Sequence, residues 1–306
     1  MNDLLTVGQC EADQLQSLID LSLALEEKPK PVLQGKNILF VFEKPSLRTR
    51  VGTEAAINHL GGNVIQADPL VVLETEQDPY ESRESIKDTM RNISQWCDAI
   101  FARVYAHETL EQMADYAEIP VVNALCDKHH PMQALADMLT LQERFGREEK
   151  VALTFVGDAN NVAFSLIEIA LKFGHDVRFT GPEKYYWSQD QLQYFGLLAV
   201  DHGSSFTHTF EPAEAVKNSD VIYTDTFVSM GEEHMMEEKL NHFKPYQVNG
   251  KLMEQANNGA GFMHCLPAHR GIEVTDEVID HSNSWVHQQA RNRMVVSKGV
   301  FGWLCT

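Results

Sequence analysis

The chain has 306 residues, 43% of them hydrophobic, and a formal net charge of −19. Such a length suits roughly two domains with enough apolar surface for compact cores, and the acidic balance excludes a nucleic-acid or anionic-membrane surface as partner. Five scattered cysteines (Cys10, Cys97, Cys126, Cys265, Cys305) without a CxxC, an N-terminus without a basic signal region and apolar runs far short of a membrane span predict a cytoplasmic protein of free thiols.

Residues 11–25 set Leu15, Leu18, Ile19, Leu21, Leu23 and Leu25 among polar residues, the pattern of an amphipathic helix. Strands are then predicted at 37–42, 98–104, 120–123, 151–156, 176–179, 220–224 and 261–264, and helices at 48–60, 85–96, 132–145, 162–173 and 275–280. Alternation of this kind gives an α/β protein with mainly parallel sheets flanked by helices. The charged stretch 146–150 marks a junction, so two doubly wound domains are expected at 1–146 and 147–306. The last helix, about 286–306, is expected to pack back on the first domain. Ligands of such sheets bind beyond the carboxyl ends of the strands, and the chemically unusual residues of this chain fall there.

The first strand runs into Ser46-Leu47-Arg48-Thr49-Arg50 and then a helix. A helix N-terminus with two hydroxyls and a guanidinium suits phosphate, although Ser46 is equally a good N-cap and Arg50 could pair with Glu54. Arg103 closes an apolar strand, where it needs either a buried partner or a ligand. Further on, His130-Pro131-Met132-Gln133 puts a histidine at a helix mouth, able to donate to a carbonyl oxygen or simply to serve as a capping residue. Gly157-Asp158-Ala159-Asn160-Asn161 lacks the glycines of a dinucleotide loop; its paired amides suit a small polar ligand.

Asp225 and Ser229, four residues apart after another strand, could receive an α-ammonium group. His264, Cys265 and His269 could be read as zinc ligands, but strand alternation is expected to send His264 and Cys265 to opposite faces, so no metal site is expected. Arg293, taken alone, reads as a solvated helix residue. Each of these features has an ordinary structural explanation; five such clusters at the ends of five strands point together to a site.

Taken together these residues resemble the aspartate/ornithine carbamoyltransferase superfamily, over nearly the whole chain. Ser46 to Arg50 looks like its S-x-R-T-R loop and His130 to Gln133 like its H-P-x-Q, both common to the aspartate and ornithine branches. Asp225 with Ser229-Met230-Gly231, His264-Cys265-Leu266-Pro267, Tyr246-Gln247-Val248-Asn249, Gly157 to Asn161 and Asn292-Arg293 resemble the ornithine branch.

The resemblance implies a carbamoyl-phosphate-binding domain at 1–146, an ornithine-binding domain at 147–306 and a homotrimer. It implies that Ser46, the Leu47 N–H, Arg48 and Thr49 hold phosphate, with Arg103 bridging phosphate and carbonyl oxygen and His130 on that oxygen. Gln133, Arg293 and the backbone of Cys265 and Leu266 would surround the carbamoyl amide. Asn161 and the Met230 N–H would take the α-carboxylate of ornithine, and Asp225 and Ser229 its α-amine. Arg103, His130, Cys265 and Arg293 would be catalytic, with Cys265 beside the attacking nitrogen. No metal or organic cofactor is implied. The product is citrulline, within arginine metabolism.

This chain departs from the family at Leu47, where threonine is frequent, and at Phe227, where tryptophan is common. It departs again at Pro79-Tyr80-Glu81-Ser82-Arg83, where many relatives carry Gln-Leu-Gly-Arg-Gly. Competing expectations are a carbamoyltransferase for putrescine or an N-acylornithine, a nicotinamide-dependent oxidoreductase, and a non-enzymatic binding protein on the same fold.

Overall fold

The computed structural model describes residues 3–73, 84–228 and 233–305. In chain order it contains α1 (Ala12–Glu27), β1 (Asn37–Phe42), α2 (Leu47–His59), β2 (Asn63–Ala67), α3 (Pro69–Val72), α4 (Ile86–Ile93), β3 (Ala99–Arg103), α5 (His107–Tyr116), β4 (Val121–Leu125) and α6 (Pro131–Phe145). There follow β5 (Ala152–Val156), α7 (Asn161–Lys172), β6 (Asp176–Thr180), α8 (Gln189–Asp201), β7 (Ser205–Thr209), α9 (Pro212–Ala215) and β8 (Val221–Thr224). The chain finishes with α10 (Met236–Phe243), α11 (Gly250–Met253), β9 (Gly261–His264), α12 (Asp276–Ile279) and α13 (Val286–Leu304). Two compact units divide these elements: Met1–Ala136 with Arg293–Thr306, and Asp137–Asn292.

In the first unit the strands order as β2-β1-β3-β4, and every pair is parallel. From β1 the chain steps to one side and later returns to β3 on the other, which puts the switch point outside the carboxyl ends of β1 and β3. Leu39, Val41, Ile100 and Ala102 alternate inward from these strands onto Met90 and Ile93 of α4 and Leu110 and Met113 of α5. α1 buries Leu15, Leu18, Ile19, Ser22 and Leu25, one stripe at helical spacing, and its start is closed by a capping box between Glu11 and Gln14. Gly299 of α13 explains how that helix reaches α1: a Cβ there would lie 2.0 Å from Ser22 Oγ and 2.5 Å from the Leu18 carbonyl oxygen. Lys298 to Glu26 at 2.8 Å and Thr53 to Ser297 at 3.1 Å fasten the same segment.

The second unit orders its strands β7-β6-β5-β8-β9, again all parallel, with the switch point between β5 and β8. Phe262, Ile222 and Val156 pack on Phe243, Tyr246, Leu252, Val278 and Val286 from the flanking helices. Both sheets thus have the α/β architecture expected from the alternation. β2 and β7 are additional strands, and the reason they escaped the pattern is physical. Both are edge strands of five residues, NVIQA and SFTHT, with largely exposed side chains, so neither shows the apolar run that marks a buried strand.

Candidate active site

The first unit gathers its unusual residues at its switch point. Ser46 is the N-cap residue of α2, so the Leu47 and Arg48 N–H groups belong to the first turn, where no intrahelical acceptor exists. Leu47 is 76% exposed, so its side chain is turned to solvent while its N–H stays at the helix mouth. Thr49 is buried, one helical step further on. Arg103 is the last residue of β3, paired in register with Phe42 at the end of β1.

Gln133, in the first turn of α6, and His130, just before it, are nearly inaccessible to solvent, and so is Arg293. Arg293 Nη1 donates to Gln133 Oε1 at 2.7 Å and to His130 Nε2 at 3.2 Å, and Nη2 donates to Thr49 Oγ1 at 3.2 Å. Arg293 is therefore no solvated helix residue, the reading its local sequence invites. It is a buried hub whose partners lie 160, 163 and 244 residues away.

Two consequences follow for protons. Burial first, then the nearby guanidiniums of Arg293, Arg103 and Arg48, hold the His130 imidazolium well below its ordinary pKa, so the ring is neutral at pH 7. A guanidinium has donors only, so Nε2 of that neutral ring accepts and the ring proton sits on Nδ1. Likewise Thr49 Oγ1 accepts from Arg293, which leaves its hydroxyl proton as the donor it offers a ligand. An uncharged imidazole beside three guanidiniums, next to a helix N-terminus, is an environment built for a multiply charged anion.

The second unit assembles its set around Asp225, which follows β8 and is buried. Asn160 Nδ2 donates to Asp225 Oδ2 at 3.0 Å, and the Cys265 thiol donates to Oδ1 at 3.0 Å. Asn160 is also the N-cap of α7: its side-chain oxygen accepts the N–H groups of Val162 and Ala163 at 3.0 Å each. Gly157, at φ +153°, takes the chain from β5 into this cap through a conformation that side chains rarely adopt. Asp158 of the same turn is pinned by a buried ion pair with Lys239 of α10 at 2.7 Å. Asn161 opens α7, next to Asn160. Of the two asparagines, sequence reasoning singled out Asn161 and passed over Asn160; its cap position was the available signal, but its partner 65 residues on was not. Ser229 and Met230 lie outside the described residues, as do Pro79 to Arg83. Phe227 is buried and stacks on Phe243 at 4.7 Å between centroids.

One expectation is corrected here. His264 and Cys265 do not point apart: ligand atoms of Asp225, His264 and Cys265 all lie within 4.8 Å of one another. β9 ends at His264, and Leu266 stands at φ +59°, so the chain is already turning at Cys265 and the two-residue period of a strand no longer applies. Both imidazole nitrogens of His264 are nonetheless engaged, Nδ1 by the Leu266 N–H at 2.8 Å and Nε2 by Glu273 at 3.3 Å. No ring lone pair is left over for a cation.

The family matches also divide the chain in two, but along the sequence, so that the C-terminal residues 293–304 fall with the second family domain although they pack in the first compact unit. Residues 2–143 match the aspartate/ornithine carbamoyltransferase carbamoyl-P binding domain and residues 149–304 the Asp/Orn binding domain of that family. An ornithine carbamoyltransferase of Pyrobaculum aerophilum is 45% identical over 311 residues, 99% of each chain. The solved ornithine carbamoyltransferase of Pyrococcus furiosus superposes with a TM-score of 0.91 at 42% identity, covering 98% of this chain and 96% of that one. The anabolic ornithine carbamoyltransferase of Campylobacter jejuni gives 0.92 at 34% identity, with 99% of each chain covered. Sheet order, paired clusters at the strand ends and full-length similarity agree, and the chain belongs to the aspartate/ornithine carbamoyltransferase family.

Proposed function

We propose that the protein transfers the carbamoyl group of carbamoyl phosphate to the side-chain amine of L-ornithine, giving L-citrulline and phosphate. The observation that carries this reading is the pair of sets just described: a neutral, buried histidine among three arginines at a helix N-terminus, and a buried carboxylate held by an amide and a thiol. The names of the relatives support ornithine as the acceptor.

Ser46, the Leu47 N–H, Arg48 and Thr49 hold the phosphate, and Arg103 bridges phosphate and carbonyl oxygen. Arg103, His130 and the Thr49 hydroxyl stabilise the oxyanion that forms when the amine adds. Gln133, Arg293 and the backbone of Cys265 and Leu266 receive the carbamoyl amide. The ornithine head group is taken by Asn161 and the Met230 N–H at its carboxylate and by Asp225 and Ser229 at its ammonium, with Cys265 beside the attacking nitrogen. The C–N bond forms, the C–O bond to phosphate breaks, and the proton lost by the amine leaves on the phosphate. The proposed functional domains are 1–146 and 147–306, with the end of the last helix packing back on the first; the family matches at 2–143 and 149–304 support the boundary and the compact unit 1–136 with 293–306 supports the return of that helix.

A homotrimer in the cytoplasm completes the proposal. Exposed Leu47 and Val51, one turn apart on α2, and exposed Leu70 and Val71 on α3 supply apolar surface for a neighbouring copy. Among the described residues no helix is long and apolar enough to cross a membrane, and all five cysteines are free thiols.

The test is an amine panel with carbamoyl phosphate. A buried carboxylate built for an ammonium rejects analogues that leave it unpaired. Ornithine should therefore exceed putrescine and N-acetylornithine in kcat/KM by about tenfold or more. Equal or better turnover of putrescine would overturn ornithine as substrate.

A further inference from the structure

The turn that carries Cys265 and Leu266 is held by buried side chains that have no part in the roles assigned above. His264, the last residue of β9, is wholly buried, and so is Glu273. His264 Nδ1 accepts the Leu266 N–H at 2.8 Å and Nε2 lies 3.3 Å from Glu273 Oε1. The His264 backbone N–H donates to Gln289 Oε1 at 3.0 Å. Gln289 in turn donates to Asp137 Oδ1 at 2.8 Å, and the Tyr223 hydroxyl donates to Asp137 Oδ2 at 3.0 Å. Asp137 thereby orients the Gln289 amide, and that amide anchors the backbone of His264.

The two ring contacts also decide the tautomer. A backbone N–H can only donate, so Nδ1 of His264 is the bare nitrogen, and in a neutral ring the proton sits on Nε2, facing the Glu273 carboxylate. Leu266 needs this acceptor more than an ordinary residue would. At φ +59° a leucine occupies the left-handed region that L side chains disfavour, and a bond from its N–H to the ring two residues back holds it there.

We propose that His264 and Glu273 are positioning residues: the carboxylate sets the imidazole tautomer, and the imidazole locks Leu266 in its turn, so that the Cys265 and Leu266 carbonyls are aimed before the carbamoyl amide arrives. The inference rests on the carbamoyl-transfer reading of that turn.

Two substitutions separate positioning from mere filling of space. Asparagine at 264 puts its side-chain oxygen where Nδ1 sits, whereas glutamine reaches the position of Nε2. His264→Asn is expected to keep kcat within about threefold, and His264→Gln to lose it by roughly ten- to a hundredfold, the effect of one buried unmade hydrogen bond. Thermal midpoints of the two should be similar. Glu273→Gln, which keeps an acceptor oxygen, should remain active, while Glu273→Leu should fall with His264→Gln. Adding Leu266→Gly to His264→Gln should restore part of the activity, since glycine holds the turn unaided. Equal losses in the asparagine and glutamine variants would overturn the proposal.

A measurement on the unmutated protein decides the matter even if a variant fails to fold. Nitrogen NMR, with the His264 signal assigned by its absence from any folded His264 variant or through its backbone, must show the proton on Nε2; a proton on Nδ1 overturns the proposal. Absence of citrulline formation by the unmutated enzyme would instead sink the transfer reading, and the NMR result would still report on the His264 contact by itself.

Discussion

At the scale of single residues, the arginines are the groups proposed to carry the first substrate. Arg48 sits at the α2 N-terminus in a chain of net charge −19, close enough to His130 to help hold its ring neutral. Arg48 is half-buried, and its guanidinium would add charge-assisted bonds to a helix dipole already favourable to phosphate. Arg48→Ala should therefore weaken carbamoyl-phosphate binding by roughly 1.5–3 kcal/mol, with little change in the urea midpoint. Calorimetric titration checks this, and undiminished affinity in the folded variant would remove Arg48 from the phosphate site. Arg293 is different in kind. Its three bonds run to side chains of its own unit, so its removal strands buried acceptors as well as reducing charge.

At the scale of elements, one side chain serves a helix and the carboxylate proposed to receive the ornithine ammonium. Asn160 caps α7 with its oxygen and holds Asp225 with its amide nitrogen. Asn160→Ala loses both contacts: the cap contributes about 1 kcal/mol to stability, and Asp225 keeps the Cys265 thiol as its remaining described side-chain donor. Asn160→Asp keeps the cap oxygen but sets a second carboxylate against Asp225. Both variants are expected to lose stability, the alanine for the missing cap and the aspartate for like-charge repulsion, and the aspartate variant should be the poorer of the two in ornithine turnover. Urea unfolding and kcat/KM measured together check it; an aspartate variant as active as the parent would remove Asn160 from the site.

At the scale of the whole molecule, buried and half-buried histidines set the acid limit of stability. Burial lowers His129 and His175 to about 4, helped at His129 by His107 and Lys128 and opposed at His175 by Asp176, and it lowers His130 well below 6.5. An unfolded chain binds these protons near pH 6.5, the folded chain only at lower pH, so stability is complete above about 6.5 and falls as pH drops towards 4. By pH 5 His129 and His175 should each have cost up to about 2 kcal/mol. Urea unfolding between pH 7 and pH 5 measures this, and His175→Asn should flatten the profile. A stability independent of pH over that interval would contradict the burial of these rings. Assembly is checked at the same scale: sedimentation equilibrium should report a trimer, and Val51→Glu on the exposed face of α2 should weaken it. A stable monomer at assay concentrations would remove the trimer.

The sequence by itself determined the parallel α/β architecture, the position of the buried strands and the placing of odd residues at strand ends. These depend on period and local composition, which neighbours along the chain decide. It also made the proposed phosphate loop and the H-P-x-Q segment legible as motifs, because each is contiguous. Only the tertiary structure decided that Arg293 joins His130, Gln133 and Thr49, that Asn160 holds Asp225, and that His264 turns to Glu273. It likewise decided that Cys265 and His264 converge where strand alternation sends them apart. Such partners are chosen by how distant segments pack, and a buried polar group takes whichever partner the packing brings within about 3 Å. No periodicity along the chain encodes that choice.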